Sequence, residues 1–175
     1  MGREIRKVPA DWQHPKNEHG NYIPLFDGFN ESLKDWDEGA RQWDAGYMED
    51  FRFFPESNDR HWKPKPDEPE YQISYAEWAG PRPRKEEYMP DWPEEERTHI
   101  QMYENTTEGT PISPVMSCPR ELARWLADNN ASAFGSMTAS YDDWLAMIEN
   151  QGFSVSMVST PEGIQSGVQA SAGGK

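Results

Sequence analysis

Fifteen prolines punctuate this 175-residue chain, and eleven of them fall within its first 104 residues. Proline lacks a backbone N–H and fixes φ, so it ends helices and is confined to edges and bulges in sheets. Through residues 9–24, and again through 55–93, no long helix or interior strand is expected. The proline map therefore predicts an extended arm over residues 1–30, an amphipathic helix over 31–54 and a Pro-rich irregular segment over 55–97. A compact α+β domain over 98–169 and a frayed tail over 170–175 complete the division. The length suits one domain with at most one appendage.

The longest helical pattern lies between the two proline-rich stretches. Leu33, Trp36, Ala40, Trp43 and Tyr47 recur at spacings of three and four, and Phe51 and Phe54 extend the stripe. Ser32 and Asp35 are placed as an approximate capping box. Gly39 and Gly46 weaken such a helix by about 1 kcal/mol each relative to alanine, so Trp36 and Trp43 are expected to be largely buried and to outweigh that cost. Ser74 opens a single helical turn through Trp78, and Pro93 with Glu94, Glu95 and Glu96 opens another.

Beyond the prolines the signals are more regular. Thr98, Ile100 and Met102 alternate with His99, Gln101 and Tyr103, the period of a strand. Pro119 begins a helix with Leu122, Trp125 and Leu126 on one face and Cys118 or Ser117 at its cap. Ser140 and Asp143 form a capping box for a helix carrying Tyr141, Trp144, Leu145 and Ile148, closed by Gly152. Residues 153–158 and 164–168 bracket a turn and predict a hairpin. The order strand, helix, helix, strand, strand predicts an α+β fold. Its small antiparallel sheet carries helices on one face and follows an extended Pro- and aromatic-rich N-terminal half containing one amphipathic helix.

Acidic residues outnumber basic ones 31 to 17, for a formal net charge of −14, and mean hydropathy is −0.99. Such a surface repels phosphate backbones and anionic membranes, so neither nucleic acid nor membrane is expected as a partner. Leu, Ile, Val and Phe together number only 24, a share associated with disorder, but eight Trp, seven Tyr and eight Met supply the area for an aromatic core. The single cysteine, Cys118, excludes an internal disulfide and a Cys-based zinc cluster. With no signal peptide and no long apolar run, a reducing intracellular compartment is the expected location.

Two groups of residues resemble a known family. Val8-Pro9-Ala10-Asp11-Trp12-Gln13-His14-Pro15 leads to Tyr22-Ile23-Pro24-Leu25-Phe26-Asp27-Gly28, and Thr107 through Pro114 leads to Glu121 through Asn129. These stretches resemble small acidic proteins encoded by tailed bacteriophages and prophages. The resemblance implies a phage gene product made inside a bacterium, and hence the host bacterial cytoplasm as its location, and transfers no catalytic residues.

Several residues are candidates for chemistry. His14, His19, His61 and His99 could ligate metal, with Asp11, Glu18 and Asp27 near the first two, but no metal motif is matched and surface histidines are the simpler account. Cys118 at a helix start beside Arg120 has the setting of an activated thiol, yet no nucleophile signature accompanies it. The loop 105–113 lacks the lysine and glycines of a phosphate cradle. No catalytic residue, metal or cofactor is assigned.

The favoured expectation is a non-enzymatic accessory protein that binds a host or phage protein. An acidic nucleic-acid mimic inhibiting a host defence system is one form of it. A minor virion or assembly component and a small metal-dependent hydrolase are the alternatives, and a homodimer is left open. Partner contacts are assigned to Trp78, Arg82, Arg84, Tyr88 and Trp92, where aromatic and Arg anchors sit on a stiff backbone. Thr106, Thr107, Glu108 and Thr110, in a loop between strand and helix, are assigned with them.

Overall fold

The computed structural model describes residues 2–53, 60–104, 109–160 and 163–172. In chain order the elements are β1 (Arg3–Val8), α1 (Phe29–Asp44), β2 (Tyr47–Glu49), β3 (Trp62–Pro64), α2 (Tyr75–Ala79) and β4 (His99–Glu104). They continue with β5 (Thr110–Pro111), α3 (Pro119–Asp128), α4 (Tyr141–Asn150), β6 (Phe153–Ser154), β7 (Met157–Thr160), β8 (Gly163–Ser166) and α5 (Gly167–Ala172). The α+β class is as expected, but the chain divides differently. One compact unit joins Met1–Leu25 to Pro90–Lys175, and the other is Phe26–Met89.

The first unit is built on a four-stranded antiparallel sheet of order β5-β4-β1-β6. Its longest pairing is β1 with β4, from Arg3 opposite Glu104 to Val8 opposite His99. The supposed arm thus supplies an inner strand, which corrects its description as extended and peripheral. On one sheet face Ile5, Ile100 and Met102 meet Leu122, Ala123 and Leu126 of α3, Trp144, Met147 and Ile148 of α4, and Val168 of α5. Val168 is fully buried in the core and α5 continues to Ala172, so residues 170–172 of the expected frayed tail are helical, while 173–175 lie outside the described residues. The expected C-terminal hairpin forms only in part: Phe153–Ser154 joins the main sheet as β6, residues 167 and 168 open α5, and β7 pairs with β8 as a separate two-stranded sheet.

The caps explain why α3 and α4 start where they do. Pro119 occupies the first turn of α3, where its missing N–H costs nothing, and Cys118 is the N-cap without a side-chain bond. Ser140 and Asp143 form the reciprocal capping box of α4, as the spacing predicts. The helix expected after Pro93 is only a pair of turns, Glu96 N–H to Pro93 O and Arg97 N–H to Glu94 O.

In the unit Phe26–Met89, α1 begins earlier and ends earlier than expected. Gly28, at φ 74°, is its N-cap, and Ser32 lies within the first turn, its N–H donating to Gly28 O, so the Ser32–Asp35 box is not formed. The helix stops at Asp44, and β2 then pairs with β3. Trp43 is buried and Trp36 half-buried. Both indole N–H groups are used, Trp36 donating to Gly80 O at 3.0 Å and Trp43 to Ile73 O at 2.8 Å. Tyr71, Tyr75 and Trp78 from the proline-rich segment pack their rings on Trp43, so that segment is ordered by aromatic contact rather than by long elements.

Candidate functional site

The second face of the main sheet carries a polar network at the base of a cleft. Gln101 and Tyr103 of β4 project away from the helices and are buried. Residues 9–25 cover them. A turn with Trp12 N–H on Pro9 O is followed by a hairpin-like loop, held by Asn17 N–H to Asn21 O, Ile23 N–H to Pro15 O and a bridge between Lys16 and Tyr22. Pro9 leads into the first turn, Pro15 and Pro24 stand in extended backbone, and His14 beside Pro15 reaches the sheet, only 6 % exposed. This corrects the expectation that all four histidines lie on the surface.

The network is continuous. His14 Nε2 lies 2.6 Å from Ile23 O, which requires the hydrogen on that nitrogen. Its Nδ1 faces the Tyr103 hydroxyl at 3.2 Å. The same hydroxyl accepts from Trp12 Nε1 at 3.0 Å and donates to Gln101 Oε1 at 2.8 Å, while Gln101 Nε2 donates to Ser113 O at 2.7 Å. Ser113 Oγ accepts from Met102 N–H and donates to Pro114 O. The Arg6 guanidinium stacks over the Tyr103 ring at 4.4 Å and donates to Leu25 O.

Burial governs the ionisation of this network. Desolvation, helped by the Arg6 charge and opposed by the Ile23 carbonyl, lowers the His14 pKa below its ordinary value. Desolvation also pushes Tyr103 up to about 12. Both rings are therefore neutral near pH 7; the one Tyr103 hydroxyl hydrogen goes to Gln101 Oε1, so the His14 Nδ1 lone pair faces the hydroxyl oxygen without receiving a hydrogen.

Above the network lies a cleft of about 810 Å³ whose walls include Trp12, Pro15, Tyr22, Pro111, Pro114 and Trp125. Lys16 stands at its mouth with its ammonium 4.6 Å from the Tyr22 ring centroid. Gly109, just before β5, accepts from the Leu25 N–H. Its φ is +51°, and a Cβ there would lie 2.1 Å from Leu25 O, so only glycine allows residues 25 and 109 to meet.

The residues assigned to partner contact are not gathered by this cleft. Trp78, Arg82, Arg84 and Tyr88 belong to the unit Phe26–Met89, whereas Trp92 and Thr110 belong to the other. Trp78 stacks on Trp43 at 5.1 Å, Arg82 forms a two-pronged pair with Asp37, Arg84 pairs with Glu87, and Tyr88 packs on Phe26 and Phe29. Asp37 and Glu87 are held below the usual carboxylate range by those arginine hydrogen bonds. Trp92 stands edge-on to Trp12 at 4.7 Å, supporting a cleft wall, and Thr110 pairs with Glu104. Thr106, Thr107 and Glu108 lie outside the described residues.

Sequence reasoning missed His14, Gln101, Tyr103 and Ser113 as one group. Polar residues on the non-helical face of a strand were the available sign, but their partners lie far away in sequence. Among the described residues no three His, Cys, Asp or Glu side chains converge as a metal site, and no helix is long and apolar enough to cross a membrane. Comparison of the chain with family models, curated proteins and solved structures finds no match.

Proposed function

We propose that this chain is a non-enzymatic phage accessory protein that binds a host or phage protein, and that the cleft above Tyr103 receives an extended segment of that partner. The observation that carries the reading is the cleft's construction. Its polar base is turned inward: Ser113 Oγ accepts from Met102 N–H and donates to Pro114 O, His14 Nε2 donates to Ile23 O, and His14 Nδ1 is covered by the Tyr103 hydroxyl, so Ser113 is not presented as a nucleophile. The walls offer rings and prolines, which suit an extended, proline-tolerant peptide. The phage context rests on the resemblance of residues 8–28 and 107–129, and the cleft draws Trp12, Pro15, Tyr22, Pro111, Pro114 and Trp125 from those stretches.

The test is affinity capture from infected bacteria with the tagged full chain and with a Lys16→Glu, Tyr22→Ser variant. Both side chains are exposed, so the variant is expected to keep its melting temperature and lose the captured protein. Equal capture by variant and parent, or no reproducible capture by the parent, refutes the assignment.

A further inference from the structure

Arginine in this chain is almost always answered by a carboxylate. Arg3, Arg6, Arg41, Arg52, Arg60, Arg82, Arg84 and Arg97 each form an ion pair. Among the described arginines only Arg120 and Arg124, which are also the two cations of residues 105–172, have no ion pair. They stand one helical turn apart on α3, both exposed, in a chain whose net charge is −14. With 31 acids available, a pair of unanswered guanidinium groups is the exception that needs a cause.

The two arginines border a groove of about 510 Å³ whose apolar lining comes from Met116, Trp125 and Tyr141. The Arg124 guanidinium lies 4.1 Å from the Tyr141 ring centroid. Stacking fixes the plane of the guanidinium and leaves its N–H edge free to take a carboxylate with two parallel bonds. Glu121, also at the groove, is turned back onto the Ser117 N–H and hydroxyl. Asp128 lies at the far end of the helix.

We infer that this groove docks a short acidic stretch of a partner protein, with two carboxylates separated by one residue and an apolar side chain beside them. Residues four apart on a helix are separated by about 6 Å along its axis, and alternate residues of an extended chain by about 6.6 Å. Arg120 and Arg124 thus match an acid-x-acid spacing, and the apolar neighbour would lie against Met116 and Trp125. A nucleic acid is disfavoured because two guanidinium groups cannot outweigh the repulsion between a polyanion and a chain of charge −14. The inference rests on reading the chain as a protein-binding module, but it uses a different surface from the cleft apart from the shared Trp125.

The experiment pans a display library of random peptides of about twelve residues on the full chain. The enriched peptide is then synthesised and its affinity measured for parent, Arg120→Gln/Arg124→Gln, Arg120→Glu/Arg124→Glu and Lys16→Glu/Tyr22→Ser proteins. The expected peptide carries acid-x-acid beside an apolar residue, loses affinity about tenfold or more in both arginine variants, and changes less than about threefold in the cleft variant. Circular dichroism confirms which variants fold, and the glutamine pair covers a failure of the glutamate pair. Enrichment of non-acidic peptides, no enrichment, retention of acidic peptides by the arginine variants, or displacement by oligothymidylate overturns the inference. Loss of binding only in the cleft variant overturns it too, while supporting the cleft as the protein-binding surface.

Discussion

His14 is the residue whose environment departs furthest from its sequence context. A polar, proline-flanked stretch suggests a solvated ring, and only the distant Tyr103 and Ile23 reveal that it is buried. Because its pKa is lowered on folding, the unfolded chain takes up a proton near pH 6.5 that the folded chain resists. Stability is therefore full above that pH and is lost as pH falls toward the lowered value. Glu38 and Asp50, held at about 2 by Arg41 and Arg52, lose their pairing only in stronger acid. The melting temperature should fall as pH drops below about 6.5, and His14→Gln should flatten that slope. Equal slopes in parent and variant would remove His14 as the cause. Tyr103→Phe is expected to cost about 1–3 kcal/mol in urea unfolding, since Trp12 Nε1 and Gln101 Oε1 lose their shared partner in a buried place.

Elements defined by local signals were legible, and those defined by distant partners were not. The starts of α3 and α4 follow from proline and a capping box, and their apolar spacing fixes the buried face. Strand β1 was hidden because three of its six residues are Arg3, Arg6 and Lys7, which read as solvated. Lys7 is indeed exposed, but Arg3 and Arg6 are buried, and their burial depends on particular partners. Arg3 donates to Ser132 O at 2.8 Å and lies 3.5 Å from Glu104, while Arg6 lies over Tyr103. Gly39 in α1 shows the same limit. Propensity alone marks it as a weakness, yet a Cβ there would lie 2.1 Å from Tyr75 Oη and 2.5 Å from Cζ. Gly39→Ala should therefore lower the melting temperature despite a helix-propensity gain of about 1 kcal/mol. In a Tyr75→Ala background the same change should become neutral or stabilising. A uniform effect in both backgrounds would show that Tyr75 does not set the requirement.

At the scale of the molecule, proline density marked a real change in the chain but misplaced its boundaries. Residues 1–25 resemble the irregular sequence that follows them, yet β1 pairs with β4 and Leu25 is tied to Gly109. Long-range strand pairing leaves no local periodicity to find. The unit Phe26–Met89 enters and leaves at one place: Phe26 N–H donates to Glu87 O and Met89 N–H to Phe26 O, with Phe26 bridged to Tyr88. An insertion whose ends are already adjacent can be removed without stretching its host. The host keeps its own core around Trp144 and Leu122, both fully buried. Replacing residues 26–89 with about three Gly/Ser residues should therefore give a protein that unfolds in one cooperative transition and keeps the near-ultraviolet signal of ordered aromatics. The Tyr103 network should survive with it, because Arg6, Trp12, His14, Gln101 and Ser113 all lie in the retained part. A broad transition with no aromatic signal would mean that Phe26–Met89 is required for the first unit to fold, and that the chain is one cooperative body rather than a host with an insertion.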